Sequence, residues 1–114
     1  MDWGMKNRMS RLIKPDTGKA VWLAVDHGYF LGPVAKLEDP ARTIGPLIPF
    51  TDALMLTRGV LRNCVEGSLG IPVILRVSGG NSIAGPALSN ESIQASMEDA
   101  IRLNASAVAF SFFQ

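Results

Sequence analysis

The sequence is poor in the residues that build several common kinds of site. Its 114 residues include one cysteine, Cys64, and one histidine, His27. A single cysteine excludes an internal disulfide and a zinc site built from cysteines, and it fits a reducing compartment. One histidine and one cysteine are too few for a typical metal centre, so we expect no metal.

Excess charge and long apolar runs are also absent. Eleven Lys and Arg against ten Asp and Glu leave a net charge of +1, so the charge balance does not favour nucleic acid as a partner. The longest apolar runs reach about half of the ~20 residues that a membrane-spanning helix needs. The first four residues, Met1-Asp2-Trp3-Gly4, lack the basic-then-apolar order of a signal peptide. We therefore expect a cytoplasmic protein with neither a nucleic-acid nor a membrane partner.

What the chain does contain is a set of short apolar segments. Hydrophobic residues make up 47% of the sequence, which suits a folded core in about one domain. Four segments are apolar without alternation, which predicts strands buried on both faces, as in a parallel sheet. They are residues 20–25, 53–56, 72–77 and 107–113.

Helical patterns precede and separate these segments. Residues 2–14 predict a short amphipathic helix, and Asp39-Pro40 predicts the start of another helix. The clearest helix is predicted to open at Ser89-Asn90-Glu91 and to stop at Asn104. Its apolar stripe is formed by Ile93, Met97, Ala100 and Ile101. Strands alternating with helices predict an α/β layer or barrel with right-handed crossovers.

Polar residues gather where three of the predicted strands end. The clusters are Asp26-His27-Gly28, Thr57-Arg58-Gly59 and Ser78-Gly79-Gly80-Asn81-Ser82. The carboxyl ends of parallel strands share one edge, and that edge carries the active site in open α/β sheets and in barrels. We therefore expect one shared site. Ordinary turn residues would explain the glycines, but they explain the acid, imidazole, arginine and asparagine less well.

Each candidate residue has a catalytic and a structural interpretation. Asp26 is a candidate general base or a carboxylate that caps its own loop. His27 is a candidate proton carrier or a hydrogen-bonded structural imidazole. Arg58 can bind a phosphate or a carboxylate through two N–H groups, and the backbone N–H groups of residues 78–81 can cradle an anion. No phosphate-binding motif of known spacing supports either anion site.

A further set of residues runs in order along nearly the whole chain. It includes Asp2-Trp3-Gly4-Met5, Asp26-His27-Gly28-Tyr29-Phe30, Thr57-Arg58-Gly59, Leu88-Ser89-Asn90-Glu91 and Arg102-Leu103-Asn104. Together these residues resemble the DeoC/FbaB-type class I aldolase family. A single short motif would be weak support, whereas the ordered set is specific.

The resemblance implies a (β/α)8 TIM barrel, of which this chain is expected to hold the N-terminal half. Residues 1–19 would form an N-terminal helix and turn, and residues 20–114 would form about four strand–helix units of one partial domain. Schiff-base chemistry is implied as well: in that family, a lysine late in the barrel forms an imine with a phosphorylated keto substrate.

The resemblance also implies roles and partners. Asp26 and His27 are expected to be catalytic, and Arg58, Ser78 and Asn81 are expected to bind the phosphorylated substrate. No permanently bound cofactor is expected, and coenzyme A is the co-substrate if the chain belongs to the thiolase branch of the family. The complete protein is expected to be a homo-oligomer.

The chain departs from the family in two respects. It contains four predicted strands where a barrel needs eight. Its lysines are Lys6, Lys14, Lys19 and Lys36, which all precede the second strand. The Schiff-base lysine is therefore expected to be missing, and the chain by itself is expected to be inactive. Three interpretations stay open: a thiolase whose remaining half is absent, a fructose-bisphosphate aldolase-like lyase, and a non-catalytic half-barrel.

Half of a barrel would also leave two strand edges open. The inner face is expected to include Leu23, Leu54, Ile74 and Phe110, which would lose the opposite wall. Because open edges and exposed apolar faces promote association, we expect the isolated chain to aggregate or to pair with a second half-barrel.

Overall fold

The computed structural model describes residues 1–25, 40–79, 92–93 and 96–111. Most of this part of the chain forms short strands joined by helices. The elements in chain order are α1 (Trp3–Leu12), β1 (Trp22–Ala24), α2 (Pro40–Ile44), a 3₁₀ helix (Gly45–Phe50), β2 (Ala53–Thr57), α3 (Arg58–Cys64), a 3₁₀ turn (Gly67–Leu69), β3 (Val73–Arg76), β4 (Ser78–Gly79), β5 (Ser92–Ile93), α4 (Met97–Arg102) and β6 (Ala107–Ala109).

Four of the strands form one parallel sheet in the order β1-β2-β3-β6. In its register, Met55 lies beside Ile74 and Leu75 lies beside Val108. The remaining two strands, β4 and β5, form a separate antiparallel pair in which Ser78 lies opposite Ile93. The predicted α/β arrangement with parallel strands is confirmed.

One face of the sheet packs against the helices and forms the larger part of the core. Leu54, Leu56 and Leu75 are fully buried on this face. They cluster with Ile44 of α2 and Ala100 of α4. Alternate residues of β2 and β3 lie on this face, because successive side chains of a strand point to opposite faces.

The other face is called the inner face here, because it would line the interior of the expected half-barrel. It is closed by α1 at the amino end of the sheet. Leu12 at the end of α1 packs with Ala53 and Ile74, which lie near the starts of β2 and β3. The indole Nε1 of Trp22 donates a hydrogen bond to the Leu12 carbonyl at 2.9 Å. Partly buried alanines of β6, Ala107 and Ala109, continue this face. The inner face thus combines alanines with the larger side chains of Ile74 and Met55.

The predicted membership of the inner face was wrong for two residues. Leu23 and Leu54 pack with the helix-side cluster, and only Ile74 of the predicted set packs with the inner cluster. Phe110, the fourth, is half exposed just after β6. When both faces of a strand are apolar, the sequence does not show which alternate residues point inward.

The helix predicted from Ser89 begins later than expected. It starts at Met97 with Ser96 as its N-cap, while Ile93 lies in β5. The hydroxyl of Ser96 accepts the Asp99 N–H at 3.2 Å, and the Asp99 carboxylate accepts the Ser96 N–H at 3.3 Å. This reciprocal capping box satisfies two N–H groups of the first turn, which explains why the helix starts here.

The predicted apolar stripe of this helix was also wrong in part. Ala100 is buried, but Met97 and Ile101 are 65% and 72% exposed. The predicted stop is confirmed, because Asn104 adopts a left-handed φ of 56° directly after the last turn.

Candidate active site

The carboxyl ends of the parallel strands lie side by side. Thr57, Arg76 and Ala109 are neighbours in the register of β2, β3 and β6. Beside them the chain leaves β1 at Val25, whose N–H donates to the Met55 carbonyl at 2.8 Å. The predicted residues Asp26, His27 and Asn81 lie outside the described residues. The two described candidates, Arg58 and Ser78, both lie at this end of the sheet.

Ser78 joins the ends of β3 and β6. It is 3% exposed, and its hydroxyl accepts the backbone N–H of Ser111 at 3.0 Å. Its carbonyl oxygen accepts Nε–H of Arg76 at 3.2 Å, and the guanidinium of Arg76 also donates to the hydroxyl of Ser111. In the described part of the chain, Ser78 therefore holds the edge of the sheet together. Its contact with substrate stays a prediction.

Arg76 also lies at this edge, and no role was predicted for it from the sequence. Its register neighbour Ala109 packs with the inner cluster, which places Arg76 on the inner face of the half-barrel. A guanidinium in that position can hold a phosphate or a carboxylate. A signal for it exists in the sequence, since an arginine inside an otherwise apolar strand needs a polar partner.

Arg58 is positioned by the first turn of α3. The hydroxyl of Thr57 accepts the Val60 N–H at 3.5 Å and caps that helix. The guanidinium Nη1 of Arg58 lies 3.0 Å from Oδ2 of Asp99, which ties α3 to the first turn of α4. Binding of substrate by Arg58 stays a prediction. The guanidinium would have to bind the substrate while it is still paired with Asp99, or the ion pair with Asp99 would have to break.

Asp99 is held in its charged form by this arrangement. The Ser96 N–H is the main cause that lowers the pKa of the Asp99 carboxyl, and Arg58 and Arg62 lower it further against the opposing effect of desolvation. The nearest atoms of Arg62 and Asp99 are 3.9 Å apart. A carboxylate with these neighbours stabilises the helix pair and is poorly suited to take up a proton near neutral pH.

The described lysines lie away from the carboxyl edge. Lys6 is in α1, Lys14 follows α1, and Lys19 precedes β1; Lys36 lies outside the described residues. The ammonium of Lys14 is 3.3 Å from Asp52, which precedes β2 at the amino end of the sheet. No lysine among the described residues is therefore placed to attack a substrate at the carboxyl edge.

In the part of the chain that the structure describes, no helix is long and apolar enough to span a bilayer. Within the same residues, no group of three or more histidine, cysteine or acidic side chains is arranged to hold a metal ion.

Comparison with known proteins shows which enzymes this chain is similar to. The chain is 53% identical over 109 residues, 96% of its length, to the 3-hydroxy-5-phosphonooxypentane-2,4-dione thiolases of Escherichia coli (strain K12) and Photorhabdus laumondii. The corresponding thiolase of Yersinia pestis (strain Pestoides F) is 51% identical over the same share of the chain. This similarity over almost the whole chain agrees with the resemblance to the class I aldolase family. The chain spans 37% of the length of these relatives.

A solved member of the aldolase family has the same fold. An archaeal fructose-1,6-bisphosphate aldolase, with its catalytic Lys covalently bound to the carbinolamine intermediate of the substrate, matches with a TM-score of 0.69 and 28% identity. The match covers 91% of this chain and 42% of the aldolase. The four parallel strands thus correspond to part of a (β/α)8 barrel, as the resemblance implied. No protein-family profile matches the chain.

Proposed function

We propose that this chain is part of a class I, Schiff-base thiolase that acts on a phosphorylated keto substrate in autoinducer-2 catabolism. Its reaction would be acetyl transfer from 3-hydroxy-5-phosphonooxypentane-2,4-dione to coenzyme A. The observation that carries this proposal is the 53% identity to thiolases of that name over 96% of the chain. Because the chain spans 37% of those relatives, the activity is proposed for the complete protein.

The carboxyl edge of the sheet is the proposed site of this reaction. Imine chemistry needs a group that moves protons near the reacting carbons, and we assign this role to Asp26 with His27 beside it in sequence. Arg58, Ser78 and Asn81 are proposed to hold the substrate. The proposal is supported by the positions of Arg58 and Ser78, which lie where parallel strands of barrel enzymes carry their active sites.

The amine that forms the imine is proposed to come from a part of the complete protein that this sequence does not contain. The described lysines support this assignment, since they lie near α1 and the start of β1. The 114-residue chain by itself should then turn over neither a thiolase nor an aldolase substrate.

The test is the formation of acetyl-coenzyme A by the complete protein supplied with coenzyme A and 3-hydroxy-5-phosphonooxypentane-2,4-dione. In that protein, Asp26→Asn should lower kcat by roughly 10²–10⁴-fold, because it removes the group that moves the proton. Asp16→Asn is the matched control, since Asp16 is exposed in the turn after α1. Unchanged turnover in Asp26→Asn would show that Asp26 is not the proton-transfer group and would favour the interpretation that it caps its own loop.

A fructose-bisphosphate aldolase-like lyase is the second candidate. It is favoured by the TM-score of 0.69 to the archaeal fructose-1,6-bisphosphate aldolase. Cleavage of fructose 1,6-bisphosphate without coenzyme A, together with no acetyl transfer from the thiolase substrate, would replace the first candidate with the second.

A further inference from the structure

A cavity of about 390 Å³ opens at the amino end of the sheet, away from the proposed active site. Its wall includes Pro72 and Val73 at the start of β3 and Ser106 before β6. The volume lies within the range of about 300–1,000 Å³ that is typical of sites for small molecules. Nothing in the proposed thiolase reaction uses this end of the sheet.

Three arginines border this cavity, and each comes from a different helix. Arg11, Arg62 and Arg102 lie in the last turns of α1, α3 and α4. All three residues are exposed, and Arg62 also lies 3.9 Å from the Asp99 carboxylate. The acidic residue on the wall is Glu66, whose carboxylate accepts the N–H of Ser68 at 3.3 Å and its hydroxyl at 3.2 Å. The wall therefore carries an excess of positive charge.

The rest of the wall combines apolar side chains with one unsatisfied hydroxyl. Leu61, Val65 and Leu103 are partly buried and supply apolar surface. Ser106 is 7% exposed, and its hydroxyl is a buried polar atom without a hydrogen-bond partner in the described part of the chain. Burial of an unpaired hydroxyl is unfavourable, so a ligand oxygen that met it would gain a bond that the protein alone does not make.

We propose that this cavity binds a phosphorylated small molecule with a compact apolar body. The phosphate would lie among Arg11, Arg62 and Arg102, because guanidinium groups bind phosphate through paired N–H donors. The apolar body would lie against Leu61 and Val65. The competing explanation is that each arginine only offsets the partial negative charge at the end of its own helix, in which case the cavity has no anionic ligand.

Equilibrium dialysis of the 114-residue chain at constant ionic strength tests this proposal, and it does not require the chain to be monomeric. Phenyl phosphate, inorganic phosphate and phenol are the three probes. Phenyl phosphate should bind most tightly, inorganic phosphate more weakly, and phenol not measurably. The double variant Arg11→Gln/Arg102→Gln should weaken binding of phenyl phosphate by about 10-fold or more, because it removes two charged donors.

The matched control is the double variant Arg8→Gln/Arg42→Gln. It removes the same charge from two exposed residues of α1 and α2 that do not line the cavity. Its Kd for phenyl phosphate should be unchanged. Circular dichroism of each variant verifies that it is folded, which is expected because all four arginines are exposed.

Three results would overturn the proposal: no binding of phenyl phosphate, equal binding of phenol, or equal weakening in both double variants. Ser106→Ala provides an independent check, since it should weaken phenyl phosphate binding without unfolding the chain. The readout is binding to this chain rather than turnover of the complete protein. Failure here therefore leaves the proposed thiolase activity intact, and failure of that activity leaves this proposal intact.

Discussion

The amino end and the carboxyl end of the sheet use polar groups in different ways. At the amino end, the Asp52 carboxylate accepts the Val21 N–H at 2.8 Å, and the Asp52 N–H donates to the Val21 carbonyl at 2.7 Å. Lys14 lies 3.3 Å from the other carboxylate oxygen. At the carboxyl end, Arg76 lies on the inner face and contacts Ser78.

Asp52 joins two strands at the amino end, whereas the polar groups at the carboxyl end lie at the edge that is proposed to carry the reaction. Asp52 joins the starts of β1 and β2, and Leu12 fills the inner face beside them. At the opposite end, the guanidinium of Arg76 lies on the inner face. The Asp26-His27 and Asn81 segments follow β1 and β4 in the sequence. In barrel enzymes, residues at the amino end serve stability and residues at the carboxyl end serve catalysis.

The largest expected effect on stability is at the amino end. Leu12→Ala should lower the free energy of unfolding by about 2–5 kcal/mol, because it leaves a cavity between α1, Ala53 and Ile74. Met9→Ala is the control on the same helix, where the side chain is 40% exposed and the cost should be much smaller. Urea unfolding of both variants measures the difference, and equal losses would show that α1 does not close the inner face.

At the carboxyl end, substitution of Arg76 is expected to affect both stability and substrate binding. Arg76→Met should cost about 1–3 kcal/mol, because it leaves the Ser78 carbonyl and the Ser111 hydroxyl without this donor. In the complete protein it should also raise KM for the phosphorylated substrate. Arg76→Lys keeps the charge but loses the planar set of donors, so it should recover only part of both properties. Thermal unfolding and steady-state kinetics measure the two effects, and an unchanged KM would limit Arg76 to holding the strands together.

Part of this organisation could be predicted from the sequence. The apolar segments at 53–56 and 72–77 locate β2 and β3 to within a residue at each end, because buried strands need apolar residues on both faces. Because both faces are apolar, the face to which Leu54 points could not be predicted from the sequence. The role of Arg76 was missed because its partner Ser111 lies 35 residues further along the chain.

The helix start shows a different limit of sequence reasoning. Ser89-Asn90-Glu91 and Ser96 both supply side chains that can cap a helix. The helix starts after Ser96 because Asp99 completes the capping box of Ser96. Asp99 also pairs with Arg58 of α3. That second contact joins residues 41 positions apart, so it cannot be read from local sequence.

The smallest expected effect on stability comes from Asp52, and it depends on pH. The Val21 N–H, followed by Lys14, lowers the pKa of the Asp52 carboxyl below its ordinary value, although desolvation opposes this. Its stabilising contribution is therefore present above the pKa of the unfolded state and is lost as the pH falls through the lower pKa of the folded state. Asp52→Asn should reduce stability at neutral pH and reduce the acid dependence of unfolding. Asp16→Asn, at an exposed position, should change neither, and identical acid profiles for the two variants would contradict the assigned role of Asp52.

The most direct test of a Schiff-base site at the carboxyl edge is borohydride trapping with a phosphorylated keto substrate. It is carried out in parallel on the complete protein and on the 114-residue chain, with mass spectrometry to locate the adduct. We expect a stoichiometric adduct on one lysine of the complete protein, outside these 114 residues, and none on the shorter chain. A stoichiometric adduct on any lysine of these 114 residues would contradict this expectation.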